Sequence, residues 1–129
     1  MEEFIRNEFA NLSYYRSKIK LNLSLQSSHN QSEIDNYNNN LNSKIVVIES
    51  WLELLNADEK FVIENHLIKE YEWARVAFLF SEQWKNEFYR TERTLVHYQA
   101  TALKKIEQFC LENIDSILCV FGKNILTHK

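Results

Sequence analysis

The residues able to do chemistry fall into two groups, one scattered and one gathered. The four histidines, His29, His66, His97 and His128, stand far apart, and none is spaced to share a metal with Cys or Asp partners. No Ser-His-Asp or Cys-His arrangement has a recognisable local context, so catalysis is not expected, nor a cofactor. His66 and Glu70, one helical turn apart, read as a surface pair. The gathered group is cationic. Between residues 85 and 105 stand Lys85, Arg90, Arg93, Lys104 and Lys105 against Glu87 and Glu92. The segment YRTERTLVHYQATALKKIEQF, residues 89–109, sets most of these cations beside a regular apolar stripe. Its first turns are the part able to read a partner, such as the edge of a DNA base.

The net charge of −3 hides this local excess. Residues 27–72 carry nine acidic groups against three basic ones, whereas residues 73–109 carry six basic against four acidic. The acidity lies in the middle of the chain and the positive surface in the segment that follows.

These side chains must be positioned by helices. The 129 residues include one glycine, Gly122, and no proline. Sheets, hairpins and phosphate-cradling loops depend on those residues, so their scarcity predicts an all-α domain and excludes P-loops and dinucleotide-binding turns. Ile5, Phe9, Leu12, Ile19 and Leu23 mark one face of a first helix. Ile34, Tyr37, Leu41, Ile45, Ile48, Leu52 and Leu55 mark a second, which passes through a run of asparagines and has Ser32 as its candidate cap. The two predict an antiparallel hairpin around a loop near residues 25–32. Asn56 is a candidate cap for a third helix carrying Phe61, Val62, Leu67 and Ile68. Trp73, Val76, Ala77 and Phe80 share a face of a fourth, and the aromatics of this region read as core. A last helix starts near Thr91, shows Leu95, Ala102, Leu103 and Ile106, and runs as far as Gly122. Cys110 and Cys119, nine apart on one such helix, would face opposite ways and remain reduced thiols. With no signal peptide and no span of ~18 apolar residues, the expected location is cytoplasmic.

Within this order the segment from Leu55 resembles region 4 of sigma-70-type factors. LNADEKFVIENHLI is similar to its opening helix, and EWARVAFLF to the next, with Val76-Ala77 at the place of the usual Ile-Ala pair. TERTLVHYQATALKKI resembles the recognition helix, closing on Ala102-Leu103-Lys104-Lys105-Ile106. The layout is similar to that of phage and prophage late-gene regulators of the ArpU and RinA type, over about residues 55–109. Two differences stand out. The connection before the last helix, roughly Ser81–Tyr89, is longer than the usual tight turn, and Glu92 and Val96 stand where arginines are common.

The resemblance implies an N-terminal helical hairpin (1–54), followed by a helix-turn-helix region with a long C-terminal helix (55–129). It also implies a transcriptional regulator that binds double-stranded DNA. Arg93, Thr94 and His97 would read bases, Arg93 on a guanine edge and Thr94 on a thymine methyl. Thr91 would cap the reading helix, and Lys85, Arg90, Lys104 and Lys105 would lie near phosphates. Ile34, Leu41, Ile48 and Leu55, seven apart, fit either packing inside the chain or a homodimer. The rival expectation is a helical adaptor without DNA contact, bound to RNA polymerase or another protein.

Overall fold

The apolar spacings resolve into helices in the computed structural model of the chain, which describes residues 1–24, 31–84 and 91–122. The elements are α1 (Glu2–Ser24), α2 (Gln31–Glu53), α3 (Ala57–Val62), a π-helical segment (Ile63–Ile68), α4 (Trp73–Trp84), α5 (Glu92–Glu112) and α6 (Ile114–Phe121). Among the described residues there is no strand. None of the described helices is long and apolar enough to cross a membrane.

α1 and α2 pack together as the expected hairpin. Ile5, Phe9, Leu12 and Tyr15 on α1 are buried with Leu41, Ile45, Ile48 and Trp51 on α2. Leu41 and Ile48 of the seven-residue series are therefore taken up inside the chain, while Tyr37 stays 45% exposed. Ser32, read as the cap of α2, already lies within it. The other residues of that connection, 25–30, are outside the described residues.

Trp51 is the centre of the larger core. Its ring meets Phe4 and Phe9 edge-on, with centroids 6.0 and 5.6 Å away, and stacks on Phe121 at 6.2 Å. The same cluster takes in Ile63 and Leu67 from the π-helical segment, Ala102, Leu103, Ile106 and Cys110 from α5, and Ile117 from α6. It thus draws residues from both sides of position 54. Burial pushes the Cys110 thiol up to about 11. The Trp51 side chain opposes that rise, and its buried Nε1 meets no acceptor at hydrogen-bonding geometry among the described residues.

A second, smaller core gathers Val62, Val76, Phe80 and Leu95, with Phe61, Ala77, Trp84 and Tyr98 against it. The π-helical segment lets one helix serve both cores. The wider turn closes Lys69 N–H onto Glu64 O at 3.0 Å, and Val62 faces the small core while Ile63 and Leu67 face the large one.

Two further boundaries differ from the sequence reading. α4 continues through Ser81–Trp84, placed by the sequence in the connection, because Phe80 and Trp84, one turn apart, stack at 4.2 Å and carry the helix on. The last helix does not run unbroken to Gly122. It ends at Asn113, with φ −123° and ψ 34°, and α6 turns back to bring Ile117 and Phe121 onto the large core. Cys110 and Cys119 accordingly sit on different helices, one buried and one exposed, both free. Gly122 does end α6, at φ +90°.

Candidate nucleic-acid interface

Thr91 is the N-cap of α5, as its residue type suggested. Its Oγ1 accepts from the Thr94 N–H at 3.2 Å, satisfying one of the free amides of the first turn. The cap fixes where the helix starts and so which side chains lead it. Leu95 then anchors the first turn, fully buried in the small core.

With Leu95, Gln99, Ala102 and Ile106 buried, the opposite side of α5 faces out. At about 100° per residue, Arg93, His97, Ala100 and Lys104 fall within roughly 60° of one another. All four are exposed. The structure thus brings Arg93, His97 and Lys104 onto one continuous wet stripe that begins at the helix N-terminus.

The other anticipated residues are placed differently. Thr94 is only half-exposed, and its hydroxyl lies 3.1 Å from that of Thr91, so its polar atom faces the cap. Lys105 points away from the stripe. Its Nζ donates to Glu59 Oε1 at 2.7 Å, and the Glu59 side chain is only 4% exposed. That oxygen also accepts from the Asn56 N–H at 3.0 Å, while Asn56 Oδ1 accepts from the Glu59 N–H at 2.8 Å. Lys105 is thereby joined to the capping box that opens α3. Lys85 and Arg90 are outside the described residues, as is Phe88, one of the aromatics expected in the core.

Two apolar side chains at this end, beyond the residues expected to read DNA, are exposed. Val96 is 44% exposed, one residue before His97, and Phe78 on α4 is 62% exposed although the sequence suggested core. Phe78 borders a groove of about 410 Å³ between α4 and the start of α5, lined also by Ala74, Ala77, Ser81, Thr91 and Glu92. Helical periodicity was the only signal for Phe78. It lies two residues from both Val76 and Phe80, on the face they leave outside.

The segment between α3 and α4 is held by ring contacts. His66 stacks on Trp73 at 3.8 Å and its Nδ1 bonds the Tyr71 carbonyl at 2.9 Å, so it faces these groups instead of Glu70. Arg75 lies over the Tyr71 ring at 3.8 Å. Among the described residues, no three His, Cys, Asp or Glu side chains gather to hold a metal.

No protein-family model matches the chain, and no curated protein or solved structure does so either.

Proposed function

We propose that residues 57–112 bind double-stranded DNA, the first turns of α5 entering the major groove, and that the protein is a transcriptional regulator of phage type. The observation that supports this most is the stripe of Arg93, His97 and Lys104, exposed on the outer face of a helix whose inner face is locked into both cores. α3, α4 and α5 meet around Val62, Val76, Phe80 and Leu95, a three-helix arrangement able to present one helix end to a groove. In this reading Arg93 and His97 contact base edges and Lys104 a phosphate, with Thr91 holding the helix start. Lys85 and Arg90 keep their proposed place near phosphates. A homodimer matching a two-fold site would need faces other than Leu41 and Ile48, which are covered by α1.

Selection of bound fragments from the DNA of the source genome tests this directly. The expected result is recovery of one family of duplexes whose affinity falls as salt rises, by about 0.9 logarithmic units per phosphate neutralised. Absence of binding to any duplex at low salt overturns it.

A second reading is favoured by the apolar surface of the hairpin. Leu21, Leu23, Tyr37 and Val46 are all exposed on α1 and α2. In that reading the chain is an adaptor whose partner is a protein, RNA polymerase among the candidates, and the acidic middle of the chain contributes to the contact.

A further inference from the structure

The α5 surface that carries Arg93 and His97 is not wholly polar. Val96 stands between them in sequence and about 60° from Arg93 around the helix, with 44% of its surface open to water. Phe78, 62% exposed, rises from α4 beside the groove that Thr91 and Glu92 share. An exposed apolar edge flanked by cations is complementary to one feature of duplex DNA. The thymine C5-methyl is the apolar group that the major groove displays among its donors and acceptors, and it is absent from the minor groove. Thr94, the other candidate for this contact, is less open to solvent than Val96. Glu92, one turn before Val96, is unsuited to a phosphate but able to accept from a cytosine amine.

We infer that Val96 reads thymine methyl groups beside the bases contacted by Arg93 and His97. The inference rests on the DNA-binding reading above and adds a base preference to it. Val96 carries no charge, so its contribution is to discrimination and not to the salt-dependent attraction that Arg93 and Lys104 supply.

The test uses the full chain and the selected duplex, with each thymine replaced in turn by uracil, which removes only the methyl. Wild type is expected to lose about three- to fivefold in affinity at one or two positions, the scale of one buried methyl group. Val96→Ala should bind the thymine duplex more weakly and lose most of the uracil penalty at one of those positions. The substitution is at a half-open surface site, and a parallel melting curve checks that the fold is kept. Tolerance of uracil at every position, or a penalty that Val96→Ala leaves untouched, overturns the inference while leaving DNA binding standing. A Val96→Ala variant that binds DNA normally but dissociates from itself in sedimentation assigns this edge to a second copy of the chain and also overturns it. Failure of the wild-type protein to bind any duplex removes the parent reading first.

Discussion

Lys105 Nζ lies 2.7 Å from Glu59 Oε1, and that contact joins the middle of α5 to the first turn of α3 across 46 residues of sequence. The carboxylate is almost wholly covered, whereas the lysine side chain remains 43% exposed. A covered carboxylate needs its partners, because water cannot replace them. Lys104, one residue earlier, has no such bond among the described residues and lies on the open stripe. Two adjacent lysines thus differ: Lys105 ties α5 to α3 through Glu59, and Lys104 stands exposed on the outer face.

The two lysines should separate in experiment. Lys105→Met is expected to destabilise the fold by about 1–3 kcal/mol, the cost of taking a partner from a covered polar group. Lys104→Met should change stability by less than about 0.5 kcal/mol. Conversely, Lys104→Met should reduce the salt slope of duplex binding by about one, and Lys105→Met should leave it unchanged. Urea melts and a salt titration decide both points. Equal effects on the slope would place Lys105 at the interface as well.

Arg93→Ala removes an exposed side chain that makes no bond among the described residues, so its melting temperature should match that of wild type. Affinity for the cognate duplex should fall by about 1–3 kcal/mol, with little change on random DNA. An equal fall on both would make Arg93 a phosphate contact, and no change on either would remove it from the interface.

Thr91→Ala should cost about 1 kcal/mol through the lost cap, while Thr91→Ser and Thr91→Asp should be nearly neutral. Denaturant titration measures this independently of any ligand. If Thr91→Ala were neutral, some other group would be satisfying the amides at the start of α5.

The buried thiol gives the fold an alkaline limit. The folded Cys110 is raised by burial to about 11 from an ordinary value near 9, so the native state holds its proton more tightly than the unfolded chain does. Its contribution is complete below about pH 9 and is lost as pH rises through about 11. Tyr15 acts in the same direction at higher pH, raised by burial and by its hydrogen bond to Glu8. Melting temperature should therefore fall across this window, and less steeply in Cys110→Ala. In native protein at pH 9 an alkylating reagent should label Cys119 alone, and both thiols in denaturant.

The legible part of this protein is what depends on neighbours in sequence. The near absence of glycine and proline selected helices, and spacings of three and four marked their buried faces from Ile5 to Leu12 and from Leu95 to Ile106. Asn56 and Thr91 announced their caps because a cap bonds within three residues. The exposure of Arg93, His97 and Lys104 followed from the same periodicity, since what opposes a buried stripe on α5 must face outward.

Tertiary structure decided whatever depends on packing between helices. Phe80 and Trp84 carry α4 past Ser81 because they stack on a core assembled from three helices, and no spacing in the sequence reveals the other two. The bend at Asn113 exists because α6 must bring Phe121 back onto Trp51, more than sixty residues away in sequence. Lys104 and Lys105 are chemically identical, yet about 100° of rotation takes one towards water and the other towards Glu59. The order of residues along the chain tells which side chains can be buried and which carry charge. Only the folded chain decided which charge found a partner, because that partner lies on another helix.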